Sequence, residues 1–305
     1  MILKARPAYS PTMPGTFKEK LLSDDFLVTA EITPPKGTDL SEALADAEKL
    51  RGLADALNVT DNQRAVMRMS PLAVSKALLD KGHEVIMQLT CRDRNRLALQ
   101  SDVLAAYSLG VRNICVMSGD HTTRGDHPKA RPVFDIDSVQ LLGAIRKMKE
   151  GFDLSGNAIG HLEGLTVGAV SNADPGQPMQ MLKLRKKIKM GAEFIQTQAV
   201  YDAGQFEVFM EQIGDLDVPV IAGVIPLKSA KMARFMNGNI PGIRVPPEMI
   251  ERMEKAENPA DEGISICAQT IIEIKKLCRG VHVMPIGTHD RTPKLLRIAG
   301  IRKGY

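Results

Sequence analysis

The feature that most restricts the fold of this chain is a regular alternation between short apolar runs and amphipathic helical stretches. Each apolar run ends in a polar turn that contains Gly or Pro, and a helical pattern follows the turn. The apolar runs predict eight strands, at residues 26–33, 57–60, 84–90, 113–117, 165–170, 194–198, 218–225 and 281–286.

Helices are predicted after each of the first seven strands, and their ends carry recognisable capping signals. Asp39 and Glu42 have the spacing of a capping box, and Ser70-Pro71 is a cap followed by Pro at the first helical position. Two further helices precede the last strand, and a closing helix begins at Thr292. The expected helices cover 40–53, 70–82, 95–109, 137–149, 178–190, 204–213, 229–236, 246–256 and 261–278.

About eight strand–helix units without an internal linker predict an α/β protein with a (β/α)8 TIM barrel fold. We expect one catalytic domain over residues 26–305, with extra helices before the last strand and an N-terminal extension over 1–25. An open, doubly wound sheet is the structural alternative. It is less well supported, because no GxGxxG follows any predicted strand.

Charge and hydropathy exclude several classes of protein. The formal net charge is +4, and 40 basic residues are interspersed with 36 acidic ones, which argues against nucleic-acid binding and suits a small anionic ligand. No window approaches 18 consecutive apolar residues, so no membrane span is expected. Residues 1–16 contain Pro and Ser but no apolar core, so they do not resemble a signal peptide, and we expect a cytoplasmic location.

The sequence also lacks the common motifs of metal, serine and nucleotide chemistry. The four cysteines form no CxxC pair, which predicts reduced thiols and no disulfide framework. The six histidines are scattered without HxH or HExxH spacing, so no protein-bound metal is expected. Neither a GxSxG elbow nor a P-loop is present.

In a barrel of this type, working residues project from the carboxyl ends of the strands and from the loops that follow. The basic run at 184–189 is expected to be largely a solvated helix face, with one charge able to reach a phosphate. The polar residues at predicted strand ends are Glu31, Thr60, Asn62, Gln88, Thr90, Asp93, Asp120, Asn172, Asp174, Gln198 and the stretch 288–291.

Three of these residues have a specific chemical interpretation and a structural alternative. Glu31 lies inside an apolar strand, where burial would prepare it as a general acid, or it could pair with a Lys or Arg across the barrel interior. Asp120 follows Gly119, which permits close approach to a ligand, although Asp120 could equally cap a turn. Gln198 can donate to and accept from a heterocycle, or it can bond to a neighbouring loop.

Several motifs, in order, resemble the methylenetetrahydrofolate reductase family over roughly residues 26–301. They are AEITPPKG, which contains Glu31, LTCRD at 89–93, GVRNICVMSGD at 110–120, the basic helix that leads into GAEFIQTQ, and AGVIPL at 222–227. The resemblance implies a flavoprotein that reduces 5,10-methylenetetrahydrofolate to 5-methyltetrahydrofolate, in a (β/α)8 barrel of one-carbon metabolism.

The resemblance also implies roles for residues that match the family motifs. Glu31 would be the acid that protonates the folate as its five-membered ring opens. Asp120 would lie beside the flavin pyrimidine and the pterin, and Gln198 would hold substrate. The remaining implied contacts are Thr60, Gln88 and Lys187 with the flavin, and Arg291 with the folate, where it would suit the glutamate tail.

The chain departs from the family pattern at three places. Ser171-Asn172-Ala173-Asp174-Pro175 stands where a Pro-Glu-x-His segment is usual, Ser118 stands where Arg is common, and Ala230 stands where an aromatic often stacks on nicotinamide. Ser118, Asn172 and Asp174 are therefore the expected flavin contacts in these segments.

Fewer cations and the missing aromatic indicate the anaerobic type of this family, some members of which work beside a small cysteine-rich iron–sulfur or zinc subunit. The flavin can then be FAD or FMN, and the electron donor NAD(P)H or a redox partner subunit.

Two other functions remain as alternatives. A lyase or aldolase that acts on a phosphorylated substrate would need a Schiff-base lysine on a strand, and no lysine lies in the predicted strands. A non-catalytic barrel subunit of a redox complex would have no need for Glu31, Asp120 and Gln198 together.

Overall fold

The eight predicted strands pair side by side, all parallel, and the last strand pairs with the first to close a barrel. The computed structural model describes residues 15–301 except 241, 286 and 288. The closed barrel confirms the predicted (β/α)8 fold and excludes the open sheet. The strands are β1 Leu27–Ile32, β2 Ala56–Val59, β3 Val85–Thr90, β4 Asn113–Met117, β5 Thr166–Ser171, β6 Phe194–Ala199, β7 Val220–Val224 and β8 Gly280–Val283.

The helices surround the barrel, and most begin and end within a few residues of the predicted positions. They are α1 Phe17–Leu22, α2 Ser41–Lys49, α3 Pro71–Asp80, α4 Arg96–Ser108, α5 Ser138–Lys149, α6 Pro178–Lys189, α7 Ala203–Gln212, α8 Ala230–Asn239, α9 Pro247–Lys255, α10 Pro259–Ile274 and α11 Thr292–Ile298. Short 3₁₀ turns occupy Gln63–Ala65, Thr122–Arg124 and His289–Arg291.

Of the two capping signals, one is confirmed and one is wrong. Ser70 caps α3 by accepting a hydrogen bond from the backbone nitrogen of Leu72. The residue before α2 is Leu40, which gives no side-chain cap, and Asp39 instead accepts from the backbone nitrogen of Ser41 at 2.9 Å. Asp39 therefore forms a local turn just outside the helix instead of a capping box.

Helix α1 lies within the stretch expected to be an extension, and no sequence pattern predicted it. Thr16 and Glu19 form a capping box at its start, and the fully buried Phe17 packs edge-on against Phe194 with ring centroids 5.2 Å apart. Phe194 is the first residue of β6, so α1 covers the amino end of the barrel. Residues 1–14 of the expected extension lie outside the described residues.

The interior of the barrel becomes polar toward its carboxyl end. Thr29 Oγ1 and His282 Nδ1 are 2.9 Å apart, and Asn58 Nδ2 donates to Gln196 Oε1 at 2.7 Å. Gln196 Nε2 also donates to Thr29 Oγ1 at 3.3 Å, which joins the two pairs. This buried network lies in the barrel interior beneath the strand ends.

All four cysteines are free thiols, as their spacing predicts. Within the described residues, no helix combines the length and the apolar character needed to cross a bilayer.

Candidate active site

The predicted site residues on strands β1, β3 and β6 lie at the carboxyl end of the barrel. Glu31 and Gln198 are the penultimate residues of β1 and β6, and Gln88 lies near the end of β3. Thr60 directly follows β2, and Asp120 lies in the loop after β4. Because all strands of the barrel are parallel, these positions share one end of it.

Glu31 is a buried acid at this end of the barrel. Its side chain is 7% exposed, and burial raises its pKa to about 7, although hydrogen bonds from Gln63 and Gln88 oppose this rise. Gln63 Nε2 donates to both carboxyl oxygens at 3.2 Å. No Lys or Arg among the described residues pairs with Glu31, so the predicted alternative of an ion pair across the barrel is not observed.

His289 holds the backbone of Glu31 in place. Its Nε2 lies 3.0 Å from the carbonyl oxygen of Glu31, and its Nδ1 lies 3.0 Å from Asp46 Oδ2 of α2. A carbonyl oxygen only accepts, so Nε2 is the donor. Of the predicted stretch 288–291, His289 is thus the residue that contacts the acid, and Thr288 lies outside the described residues.

The loop after β2 carries Gln63 over the acid in a strained backbone. Asn62, Arg64 and Ala65 all have positive φ, at 44°, 57° and 58°. Residues other than Gly seldom adopt this conformation, and such strain concentrates at functional sites. We call residues 62–65 the β2 loop.

Arg92 joins the β2 loop to the segment that carries Asp120. Its guanidinium donates to the carbonyl oxygens of Asn62 and Asp120, each at 3.2 Å, and to the carboxylate of Asp93. The side chain is only 2% exposed. A buried guanidinium with several acceptors fixes the relative position of the two loops.

Gly119 is required by this arrangement. Its φ is +86°, and a Cβ atom there would lie 3.2 Å from Cβ of Arg92 and 3.3 Å from Cβ of Thr90. In the structure Gly119 makes room for the Arg92 side chain, and the close approach of a ligand at Gly119 stays a prediction. The next residue, Asp120, is exposed at the mouth of the barrel.

Gln198 and Asp174 line a cavity of about 370 Å³ at the part of the barrel mouth formed by the ends of β5 and β6 and by α8. Asp174 accepts from the backbone nitrogen of Gly176 at 2.9 Å, which stabilises the turn before α6. Asn172 directly follows β5, and its Oδ1 is buried without a hydrogen-bond partner among the described residues. This side of the mouth thus has a cavity and, at Asn172, a buried polar atom without a partner among the described residues.

Lys187 is the buried exception in a mostly exposed basic helix. Its Nζ donates to the carbonyl oxygen of Val170 at 2.6 Å, and burial, with Lys183 nearby, lowers its pKa to about 8. Lys186 and Lys189 are exposed, as predicted for a solvated face. Lys187 is therefore the cation of α6 that lies against a strand end.

Ser118 and Arg291 make contacts that the sequence did not predict. Ser118 Oγ donates to Ser138 Oγ at 3.2 Å, at the start of α5. Arg291 Nη1 lies 3.7 Å from Asp261 Oδ1 of α10. The contact of Arg291 with a folate tail stays a prediction.

Two residues that shape the site, Gln63 and Arg92, had no role in the sequence analysis. A signal for Gln63 existed, because it lies just after Thr60 and Asn62 at a strand end. Arg92 lies within the LTCRD motif, and nothing in the sequence indicates that its side chain turns inward to join two loops.

A sequence profile of the family described as "Methylenetetrahydrofolate reductase" matches residues 16–300. The chain belongs to the methylenetetrahydrofolate reductase family. Among its relatives are methylenetetrahydrofolate reductase 2 of Schizosaccharomyces pombe, 27% identical over 233 residues, and a probable methylenetetrahydrofolate reductase (NADPH) of Caenorhabditis elegans, 20% identical over 252 residues. The aligned regions cover 72% and 77% of this chain and 35% of each relative. The chain thus matches about a third of the length of these curated relatives.

A solved structure confirms the fold of this family member. An uncharacterized protein from Clostridium thermocellum, described as binding two copies of 5-methyl-5,6,7,8-tetrahydrofolic acid, superposes with a TM-score of 0.61 at 17% identity. The match covers 92% of this chain and 96% of the other.

The residues at the barrel mouth fit a flavin, the cofactor that family membership implies. Thr60 Oγ1 and Asn172 Oδ1 are buried polar atoms without a partner in the described structure, and such atoms normally have one. Gln88 carries an amide at this end, and Lys187 carries an ammonium group that donates to the carbonyl oxygen of Val170. Among the described residues, no group of His, Cys, Asp or Glu side chains could hold a metal ion.

Proposed function

We propose that this protein reduces 5,10-methylenetetrahydrofolate to 5-methyltetrahydrofolate with a bound flavin, and that Glu31 is the general acid. The observation that carries the proposal is a buried carboxyl group at the barrel mouth with a pKa of about 7. An ordinary exposed glutamate is ionised at neutral pH and holds no proton to give.

The chemistry of the substrate requires such a group. Opening the five-membered ring breaks the bond between the methylene carbon and N10, and the electron pair of that bond stays on N10. A proton delivered to N10 makes it a good leaving group, and an acid with a pKa near the working pH both holds and releases this proton. The bound flavin would then supply the hydride that converts the iminium carbon to a methyl group.

The other residues of the site would bind and orient the flavin and the folate substrate. Thr60, Gln88, Ser118, Asn172, Asp174 and Lys187 are the proposed flavin contacts. Gln198 would hold the pterin by its amide, and Asp120 would lie between pterin and flavin. Asp120 is exposed at the mouth and anchored through its backbone to Arg92, which supports a role at the boundary between the two ligands.

The proposed electron donor is either NAD(P)H or a redox partner, and one feature favours a partner. Ala230 is the first residue of α8, and its methyl group provides no surface for stacking a nicotinamide. A small cysteine-rich iron–sulfur or zinc subunit is the proposed partner. Purified protein that oxidises NADH rapidly by itself would contradict this part of the proposal, and mass spectrometry of the released flavin would distinguish FAD from FMN.

The test of the acid uses Glu31→Gln, with Glu207→Gln on the exposed face of α7 as the matched control. The flavin is reduced chemically, the protein is mixed with methylenetetrahydrofolate, and flavin reoxidation is followed by absorbance. We expect Glu31→Gln to bind and reduce flavin normally and to slow reoxidation by about 10²–10⁴-fold. Purified protein that does not bind flavin, or an unchanged reoxidation rate in this variant, would refute the proposal.

A further inference from the structure

We propose that Gln63 is a positioning residue for the Glu31 carboxyl group: its side-chain amide orients the acid and stabilises the carboxylate that remains once the proton has been donated. The inference rests on the role proposed for Glu31. Gln63 has no assigned function in the family resemblance, and the structure alone brings it to the acid.

The geometry of the contact favours the ionised form of the acid. Gln63 Nε2 lies at the same distance, 3.2 Å, from both carboxyl oxygens of Glu31. An amide N–H only donates, and the amide oxygen of Gln63 has no hydrogen bond with Glu31 through which it could accept the acidic proton. The contact is therefore stronger for a carboxylate than for a neutral carboxyl group, and it opposes the effect of burial.

Three contacts hold the β2 loop, and Gln63 within it, in this position. The backbone nitrogen of Arg68 donates to Asn62 Oδ1 at 2.9 Å, and Arg92 donates to the Asn62 carbonyl oxygen. A Cβ atom on Gly125 would lie 1.7 Å from the Ala65 carbonyl oxygen, so the loop packs directly on the segment after β4. These contacts maintain the left-handed conformations on both sides of Gln63.

On the outer side, the Arg64 guanidinium lies 5.8 Å from the ring centroid of Phe235 in α8. The loop thus extends across the mouth between the segment after β4 and α8, with Gln63 pointing inward and Arg64 outward. Such a fixed frame keeps the amide aligned with the acid.

Gln88 is the other group that hydrogen-bonds to the Glu31 carboxyl group and lowers its pKa. Burial, Gln63 and Gln88 are the causes of its shifted pKa, and no charged side chain is among them. Gln88 is fixed in strand β3, whereas Gln63 belongs to a loop. Among the described residues, the titratable and charged groups on the elements around Glu31 include His282 in β8, His289 after β8, Asp46 in α2, Asp61 after β2, Arg64 in the β2 loop, Arg68 after it, and Arg92 after β3.

The test measures the titration of Glu31 directly and does not depend on catalysis. Protein labelled with ¹³C at the glutamate δ-carboxyl is titrated by NMR, and the Glu31 resonance is identified by its loss in Glu31→Gln. Gln63→Met keeps the length of the side chain and removes the donor, and Gln212→Met on the surface is the control. We expect the midpoint of Glu31 to rise by about one pH unit in Gln63→Met and not to change in Gln212→Met.

Gln63→Glu is the second variant, because it replaces the donor with a negative charge and should raise the midpoint further. In both variants the pH at which folate-dependent reoxidation declines should rise with the midpoint, while a merely structural role would lower the rate at every pH alike. Folded variants in which the Glu31 midpoint does not move would overturn the inference. A midpoint that moves without any change in the pH profile would leave the contact intact and instead overturn the acid role of Glu31.

Discussion

The two ends of the barrel are built differently, although the same eight strands form both. At the amino end, α1 covers an apolar cluster in which Phe17 and Phe194 are fully buried. At the carboxyl end lie a buried acid, four non-Gly residues with positive φ and polar atoms without partners in the described structure. The comparison indicates that the amino end stabilises the fold. The carboxyl end contains groups that lower stability, which is typical of the functional end of such a barrel.

The largest expected effect belongs to the amino end. Phe194→Ala removes a fully buried ring that packs on Phe17 and covers Gly168, where a Cβ atom would lie 2.3 Å from the ring. We expect the free energy of unfolding to fall by about 4 kcal/mol in denaturant titrations. The folded fraction should retain its rate of folate-dependent reoxidation. A loss of that rate would show that the two ends are coupled.

At the carboxyl end, removing the acid should stabilise the protein. The pKa of Glu31 rises from 4.5 to about 7 on folding, so between these values the unfolded state is ionised while the folded state keeps its proton. The native protein therefore loses stability as the pH rises from 4.5 to about 7, and Glu31→Gln does not.

We expect this variant to be more stable than the native protein by up to about 3 kcal/mol at about pH 8, and equally stable near pH 4.5. Denaturant titrations at the two pH values measure the difference. Equal stabilities at both pH values would mean that Glu31 is not held in an unfavourable environment.

Gly119→Ala tests the packing of Arg92 between the loops. The positive φ and the 3.2 Å approach to Arg92 should together lower the free energy of unfolding by about 2 kcal/mol. Gly156→Ala is the matched control, because Gly156 has a similar φ of +91° and nothing within 4 Å of the added atom. Thermal unfolding should show a smaller loss in the control, of about 1 kcal/mol. Equal losses would mean that the contact with Arg92 has no energetic importance.

Thr60→Val should cause the smallest change in the free energy of unfolding. The substitution removes a buried hydroxyl that has no partner among the described residues, and it nearly preserves the shape of the side chain. We expect the ligand-free protein to gain up to about 1 kcal/mol, because an unsatisfied polar group leaves the interior. Flavin affinity, measured by fluorescence quenching, should decrease. A destabilised ligand-free protein would indicate that the hydroxyl already has a structural partner.

The fold could be predicted further than the site. Strand β4 has the predicted bounds, and the other strands shift by one or two residues at most positions, because continuous apolar runs between turn residues mark buried parallel strands. Helix α1 was missed, since its six residues show an apolar pattern too short to be distinguished from an extension. Position on a strand correctly predicted that Glu31 and Gln198 lie at the carboxyl end of the barrel, while the places of Gln63 and Arg92 depend on loop conformations that no short pattern specifies.

The sequence by itself determined the barrel and the family, because hydrophobic periodicity and the order of motifs can be read along the chain. The tertiary structure decided which partner each polar side chain meets. Glu31 could have paired with a cation, and it contacts the amide of Gln63 instead, since the β2 loop is held across the mouth by Arg92 and Phe235. Those contacts join residues far apart in the chain, so burial and hydrogen bonding at Glu31 follow only from the folded arrangement.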